Sequence, residues 1–341
     1  EPTAPRRHLA GPLAILALAT VSTAASAQVP PAFAPNAGTI LNIFAPPTAE
    51  PSLPASALPR PPDEQAAADP AAGARVMVSR IIVDGVSLLP AAEVDAQVAA
   101  LAGREATLGE LRQGAERITA LYRERGYFLA RAYLPAQEIV GGVVRIAVIE
   151  GRFDKVEASG SARLSEAVVQ DTLAAQGVAA GQPVAQAGLE RSLILLEQKG
   201  GAPAAALLQP GATLGTSALS IQTPSGPLLT GTLGADNYGN RFTGSARATA
   251  SLALNSPLRL GDRANLWLAH STGADAVFGA YQMPVGSNGL VLGASGSYYR
   301  YELCCQYAAL DRAGDAAVGG IQARYPLVLR QDALAWAGLA F

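Results

Sequence analysis

The feature that most constrains the fold is an alternating stretch, RFTGSARATASLAL, at residues 241–254. Polar side chains form one face: Thr243, Ser245, Arg247, Thr249 and Ser251. Apolar side chains form the other: Phe242, Ala246, Ala248, Ala250, Leu252 and Leu254. Successive residues of a β-strand point to opposite faces of a sheet, so this period of two predicts a strand. At about ten residues or more, the strand is long enough to cross a bilayer when tilted.

Turn-forming clusters divide the remaining sequence into further strands. They are DNYGN, NSPLRLGD, STGAD, PVGSNG, LDRAGD and RQDA, and they indicate seven strands in residues 225–341. A soluble β-sandwich would need faces rich in Val, Ile, Leu and Phe, whereas Gly, Ala, Ser and Thr dominate here. Aromatic residues gather near the strand ends, as in the girdles of outer-membrane barrels. We therefore interpret this region as part of an antiparallel transmembrane β-barrel, with the sandwich as the alternative.

Residues 76–151 have a different pattern, in which strands and helices follow each other. VMVSRIIVDG predicts a strand that ends at Gly85, and a helix then covers residues 89–101. A second helix begins near residue 108 and ends at Gly126, with apolar side chains at helical spacing: Leu111, Ala115, Ile118 and Tyr122. Strands at residues 127–134 and 143–150 complete the order strand, helix, helix, strand, strand.

Residues 152–224 repeat that order more faintly. RFDKVEASG predicts a strand, and two helices follow, the second with Leu189, Leu193 and Leu196 on one face. Two further strands flank QPGATLG. A unit of about seventy residues that recurs in this way predicts two similar α+β domains in series.

The N-terminal region is typical of an exported protein. Arg6 and Arg7, the apolar run LAILALATV and the small residues Ala25-Ser26-Ala27 predict a signal peptide at residues 1–27. Residues 28–75 are rich in Pro and Ala and predict an extended linker. Within the linker, AGTILNIF at residues 37–44 is the one segment with the character of a short apolar helix.

Charge and residue usage exclude several classes of function. The net charge is −2, which predicts no broad basic surface for nucleic acid. Histidine occurs only as His8 and His270, and no GxSxG, GxxxxGK[ST] or HExxH motif is present, so we expect no enzyme, cofactor or metal site. We expect His270 to be solvated. Cys304 and Cys305 are adjacent in a predicted outward loop, where we expect thiols that are free or paired only artefactually.

Three stretches resemble a known family. GYFLARAYLPAQEIVGGVVRIAVIEGR, at residues 126–152, is similar to the signature of the first periplasmic repeat in two-partner secretion transporters of the haemolysin and filamentous haemagglutinin type. LQPGATLGTSAL, at residues 208–219, resembles the strand pair that closes the second repeat. DNYGNRFTG followed by NSPLRLGD resembles the first hairpin loop and turn of that family's barrel. The repeats are called POTRA domains, and the family belongs to the Omp85-like superfamily.

The resemblance implies an outer-membrane transporter that exports one large β-helical exoprotein without ATP. It implies a signal peptide, a plug helix where residues 37–44 lie, two periplasmic POTRA domains (76–151 and 152–224) and a sixteen-strand barrel. The implied partners are the unfolded exoprotein, outer-membrane lipid and the barrel assembly machinery. Seven strands would leave open edges in lipid, so we expect an N-terminal fragment that lacks roughly the last nine strands. A barrel assembly factor and a non-functional truncated product are the alternatives.

The same resemblance bears on the triplet Arg125-Gly126-Tyr127. The family's V-R-G-Y/F motif lies in a loop between later strands, so this triplet is not that motif. The strand at residues 127–134 is instead the predicted edge of a POTRA sheet, open to an added partner strand. The candidate partner-binding residues are Tyr127, Phe128, Leu129, Arg131, Tyr133 and Leu134. The alternative is that Phe128 and Leu134 fill the core of their own domain.

The alternation in the barrel region predicts lumen residues. We expect Arg247, Arg263 and Asn265 to face a hydrated lumen. The alternative role for the two arginines is to pair with lumen carboxylates such as Asp262.

Overall fold

The computed structural model describes residues 73–159, 162–224 and 226–341. The predicted signal peptide, and the predicted linker as far as residue 72 with its apolar segment at 37–44, lie outside the described residues. The described strands form one sheet of two strands, two sheets of three strands and one sheet of seven strands.

The first domain is a three-stranded sheet with helices on one face. In chain order its elements are β1 (Arg75–Val78), β2 (Arg80–Asp84), α1 (Ala91–Ala96), a 3-10 turn (Ala99–Leu101), β3 (Arg104–Thr107), α2 (Leu108–Glu124), β4 (Arg131–Tyr133) and β5 (Val143–Ile149). Strand β5 lies in the centre, parallel to β2 and antiparallel to β4. Val144, Ile146 and Val148 of β5 are buried with Leu111 and Ile118 of α2, and this apolar contact holds the two layers together.

Helix α2 forms as the sequence predicts. Thr107 and Glu110 make a capping box, in which the Glu110 N–H donates to Thr107 Oγ1 and the Thr107 N–H donates to the Glu110 carboxylate. The predicted apolar stripe is confirmed, because Leu111, Ala115, Ile118 and Tyr122 are all buried. The helix stops before Gly126, whose φ of 87° lies in the left-handed region that favours glycine.

Two predicted strands of this domain are wrong in extent. The run from residue 76 to Gly85 is two strands, because the N–H groups of Ser79 and Arg80 both donate to the Gly142 carbonyl where the chain leaves one sheet for another. Strand β1 therefore pairs with β3, and β2 with β5. The strand predicted at residues 127–134 is reduced to β4, because residues 127–130 form a turn in which the Ala130 N–H donates to the Tyr127 carbonyl.

The second domain repeats the order of the first. Its elements are β6 (Arg152–Ser159), α3 (Glu166–Ala175), α4 (Gln186–Gly200), β7 (Ala205–Pro210) and β8 (Thr216–Gln222). The central strand β8 is parallel to β6 and antiparallel to β7, which matches the arrangement of β5 with β2 and β4. Leu189, Leu193 and Leu196 of α4 are buried in its core, as their spacing predicts.

The third region is the seven-stranded antiparallel sheet that the turn clusters predict. Its strands are β9 (Leu229–Asp236), β10 (Arg247–Asn255), β11 (Arg263–Ser271), β12 (Ala274–Val285), β13 (Leu290–Glu302), β14 (Ala313–Leu329) and β15 (Leu334–Ala340). Strands adjacent in sequence are adjacent in the sheet, and β9 and β15 are its edges. Strand β10 begins at Arg247 rather than at residue 241, because residues 241–246 belong to the preceding connection.

The connections at one end of this sheet all approach the second domain. We call them the inner turns: residues 256–262, 286–289 and 330–333. The connections at the other end, residues 237–246, 272–273 and 303–312, are the outer loops. Hydrogen bonds join the outer loops, because the Gly273 N–H donates to the Thr243 carbonyl (2.7 Å) and the Cys304 N–H to the Phe242 carbonyl (2.9 Å).

The outward face of the sheet is apolar. Along each strand, every second side chain points to this face. The exposed large apolar side chains here are Leu229, Leu233, Leu252, Leu254, Leu266, Leu268, Leu292, Ile321 and Leu339. Soluble surfaces seldom expose a patch of this kind, whereas a lipid-facing sheet requires one. Among residues 73–159, 162–224 and 226–341, no helix is both long and apolar enough to cross a membrane.

Candidate functional site

The candidate edge strand β4 is next to helix α2. Its outer edge is partly covered, because the Ala132 N–H donates to the buried hydroxyl of Thr119 in α2 (2.9 Å). Arg131 is exposed and Tyr133 half-buried. By the strand register they share the helix-free face of the sheet with Ile149 and Ala147 of β5. Arg131 and Tyr133 are thus the predicted partner-binding residues whose side chains point away from the helices.

The side chains of the other predicted partner-binding residues pack against the cores of the two domains. Tyr127 and Leu134 pack against the core of the first domain, whereas Phe128 and Leu129 pack against the core of the second. The alternative that both Phe128 and Leu134 fill the core of their own domain therefore holds for Leu134 and is wrong for Phe128, which the turn after Gly126 directs across the junction. The Gly126 carbonyl also accepts the N–H of Gln186, the first residue of α4 (2.8 Å). Residues 126–129 thus connect the two domains.

A buried carboxylate lies at this same junction. Glu150 is 8% exposed, and its Oε1 accepts the N–H groups of Ser87 (2.6 Å) and Leu88 (2.7 Å) and the hydroxyl of Tyr122 (2.8 Å). The Ser87 hydroxyl donates to Oε2. Burial acts to raise the pKa of Glu150, but these four donors outweigh it and lower the pKa below its ordinary value. Burial and the bond to Glu150 together raise the pKa of Tyr122.

Arg152 extends the network into the second domain. Its guanidinium donates to the Ser87 hydroxyl (3.2 Å) and to the Gly181 carbonyl (3.1 Å), and it lies 3.9 Å from the Glu150 carboxylate. One network of polar groups therefore joins the two domains. No sequence motif singles out Glu150. The available signal was a lone acidic residue at the end of the apolar strand VVRIAVIEG.

A cavity of about 1010 Å³ lies between the inward face of the seven-stranded sheet and helix α4. Arg263 and Asn265 both line it, together with Gln282, Gln322 and Arg324. Arg324 also lies over the ring of Trp336, 4.4 Å from the ring centroid. The inward face thus carries polar and cationic side chains among aromatic ones such as Trp267, Phe278 and Trp336, whereas the outward face exposes mainly leucines.

Arg247 is the first residue of β10, at the end of the strand away from Arg263. It pairs with Asp236, with 3.1 Å between Nε and Oδ1 and 3.0 Å between Nη2 and Oδ2. Arg247 thus pairs with a carboxylate, as the alternative predicts, but the partner is Asp236 rather than Asp262. The buried Asp262 carboxylate instead accepts the Leu258 N–H (3.1 Å) and the Tyr281 hydroxyl (2.8 Å). Asp262 therefore stabilises the first inner turn.

The remaining candidate side chains lie near the outer loops. His270 is exposed and contacts Asp275, with 2.7 Å between Nδ1 and Oδ1. The sulfur atoms of Cys304 and Cys305 lie next to each other in the structure, and the expectation of thiols that are free or paired only artefactually stays a prediction. The chain turns sharply at Cys305, where φ is 63°, so the two side chains do not diverge as in an extended strand. Within the described part of the chain, no three His, Cys, Asp or Glu side chains are grouped to hold a metal ion.

Two family models match the chain. Residues 76–151 match a POTRA domain of ShlB type, and residues 215–335 match the haemolysin secretion/activation protein ShlB/FhaC/HecB. The outer membrane transporter CdiB of Escherichia coli is 30% identical over 186 residues, 54% of this chain and 31% of that protein. The heme/hemopexin transporter protein HuxB of Haemophilus influenzae (strain 86-028NP) is 25% identical over 228 residues, 66% of this chain and 40% of that protein. The chain thus spans less than half the length of these curated relatives.

Solved structures match the fold. CdiB from Escherichia coli superposes with a TM-score of 0.64 at 24% identity, over 82% of this chain and 52% of that one. CdiB from Acinetobacter baumannii superposes with a TM-score of 0.57 at 16% identity, over 84% of this chain and 59% of that one. The similarity covers both the domain pair and strands of the large sheet.

Proposed function

We propose that this chain, which belongs to the haemolysin secretion/activation (ShlB/FhaC/HecB) family of two-partner secretion, acts in an outer-membrane transporter that exports a large β-helical exoprotein. The observation that carries the proposal is a POTRA pair joined to a sheet that exposes leucines on its outward face and, on its inward face, lines a cavity with Arg263, Asn265, Gln282, Gln322 and Arg324. In this arrangement, the POTRA domains lie in the periplasm and the sheet contributes to the conduit.

Capture of the exoprotein begins, in this proposal, at strand β4. An extended segment placed along β4 meets Arg131 and Tyr133 on the helix-free face. Main-chain hydrogen bonding gives affinity with little demand on sequence, which suits an unfolded cargo. Tyr127, Phe128, Leu129 and Leu134 hold the strand in place from the two cores behind it.

In this proposal, the two faces of the sheet have different surroundings along the path of the exoprotein. Arg247, Arg263 and Asn265 contribute to a hydrated lumen, and the leucine-rich face contacts lipid. The outer membrane offers no nucleotide, so folding of the exoprotein at the cell surface supplies direction. Insertion of the sheet into the membrane depends on the barrel assembly machinery.

The test expresses the complete reading frame that encodes this chain together with its exoprotein and measures exoprotein in the medium. We expect deletion of residues 76–224 to abolish secretion, and Tyr133→Ala with Arg131→Ala to reduce it several-fold. The matched control is Glu116→Ala, on the exposed surface of α2. Transporter level in the outer membrane is measured in parallel. Secretion that continues unchanged without residues 76–224 would rule out capture by these domains.

A further inference from the structure

Helix α4 is buried on more than one side. Five consecutive residues, from Ser192 to Leu196, are each no more than 1% exposed, whereas a helix that covers one sheet buries a single stripe. Leu193 and Leu196 pack into the second domain. Ile194 and Leu195 pack instead against the large sheet, at Leu329, Leu334 and Trp336. The helix therefore belongs to the domain and to the sheet at once.

All three inner turns bond to the second domain. In the first, the Ser256 hydroxyl donates to the Arg163 carbonyl (2.5 Å), and the Ser165 N–H donates to the Arg259 carbonyl (3.0 Å). In the second, the Gln176 side chain donates to the Asn288 side chain (3.0 Å). In the third, the Gln331 N–H donates to the Glu190 carboxylate (2.6 Å). The domain is thus attached along the whole inner end of the sheet.

Lys199, near the end of α4, contacts two of these turns. It is 8% exposed, and its ammonium donates to the Thr172 hydroxyl (2.9 Å) and to the Gly286 carbonyl of the second turn (3.4 Å). Its backbone and stem lie against Gly261 of the first turn, where an added Cβ would be 2.6 Å from Lys199 Cβ and 2.9 Å from its Cα. Gly261 has a φ of 86°, which also favours glycine. Burial of a lysine is costly without such partners.

We propose that Lys199, Gly261 and the Gly286 carbonyl form a docking contact that keeps the second domain fixed on the inner turns during export. Helix α4 then remains across the inner mouth of the cavity, and the exported chain enters past its cavity-lining side chains, Glu197 and Gln198. Lys199 is a positioning residue in this scheme. The statement about export rests on the proposed function, whereas the docking contact itself does not.

The first test uses the fact that the chain contains only two lysines, Lys155 and Lys199. The complete protein in detergent is acetylated with an N-hydroxysuccinimide ester, and modification at each lysine is followed by mass spectrometry. The Lys155 side chain is 69% exposed and acts as an internal reference. We expect Lys199 to react at least about tenfold more slowly, because it becomes accessible only when the contact opens. Equal rates at the two lysines would overturn the proposal.

Two substitutions sharpen this test. Gly261→Ala should raise the rate at Lys199 toward that at Lys155. Gly103→Ala is the matched control, since Gly103 has a similar φ of 78° but an added Cβ there meets nothing within 4 Å. Unchanged protection of Lys199 in a folded Gly261→Ala protein would contradict the contact.

The second test asks whether the domain stays docked during export. Gln176→Cys and Asn288→Cys, in a chain with Cys304→Ser and Cys305→Ser, are joined by a short bifunctional methanethiosulfonate. We expect the cross-linked protein to secrete as well as the reduced one. Secretion lost on cross-linking and regained on reduction would show that the domain must undock, which overturns the proposal. If the uncross-linked protein secretes nothing, the proposed function fails, while the acetylation result still decides the docking contact.

Discussion

Glu150→Gln should weaken the first domain and the junction behind it. The substitution keeps shape and one acceptor oxygen but removes the charge. The two shortest main-chain bonds, from Ser87 and Leu88, then become bonds to a neutral acceptor. A hydrogen bond to a charged group contributes about 1 kcal/mol more than a neutral one, so we expect a loss of about 2 kcal/mol. Glu150→Ala also strands the Tyr122 hydroxyl and should cost about 4 kcal/mol.

The pH dependence of this loss follows from the lowered pKa of Glu150. A carboxyl whose pKa is lower in the folded state contributes stability above its unfolded pKa of about 4.3, and this contribution disappears as the pH falls through the folded pKa. The difference between wild type and Glu150→Gln should therefore be full at pH 7 and should shrink in acid below about pH 4.

The assay measures unfolding in urea, and hydrogen-exchange mass spectrometry of peptides from α2 and β5 monitors the loss of structure. Glu157→Gln is the control, because Glu157 is exposed and forms an ion pair with Lys155, which is also exposed. It should change stability by less than about 0.5 kcal/mol. A Glu150→Gln protein as stable as wild type at pH 7, or a difference that is the same at pH 7 and pH 3, would show that the Glu150 charge does not stabilise the domain.

Four further substitutions probe separate parts of the fold. Thr107→Ala removes the α2 cap and should cost about 1 kcal/mol, read as faster exchange of amides in the first turn of α2. Gly126→Ala places a side chain at a φ of 87° and should lower the free energy of unfolding in urea by about 1–2 kcal/mol. The control Glu116→Ala, at an exposed position of α2, should leave it unchanged. Leu195→Ala should raise acetylation of Lys199 while leaving exchange in the second-domain core intact, whereas Leu193→Ala should speed exchange in that core. Equal effects of the last two variants would contradict the assignment of α4 to both layers.

Hydrophobic periodicity correctly predicts the elements whose burial pattern is set by nearby residues in the sequence. The α2 stripe and the seven amphipathic strands carry their burial pattern in local sequence, so they were predictable. The division of residues 76–84 between two sheets was not, because it depends on the Gly142 carbonyl, more than sixty residues away.

The candidate site was predictable only in outline. Strand β4 is the edge that the strand order predicts, but its length is set by the turn that follows Gly126. Phe128 points into the neighbouring domain, which no local pattern indicates. Glu150 and Lys199 were missed because each acts through partners distant in sequence, and a single charged residue in an apolar segment does not reveal those partners.

Site-specific cross-linking during export shows whether strand β4 contacts the exoprotein. A photoreactive phenylalanine analogue replaces Tyr133 in the complete protein, and irradiation follows while the exoprotein is being secreted. The matched control places the analogue at Glu116, on the exposed surface of α2. We expect a covalent adduct between the transporter and the exoprotein from position 133 and none from position 116. An exoprotein that is secreted normally but forms no adduct at position 133 would contradict capture at this strand.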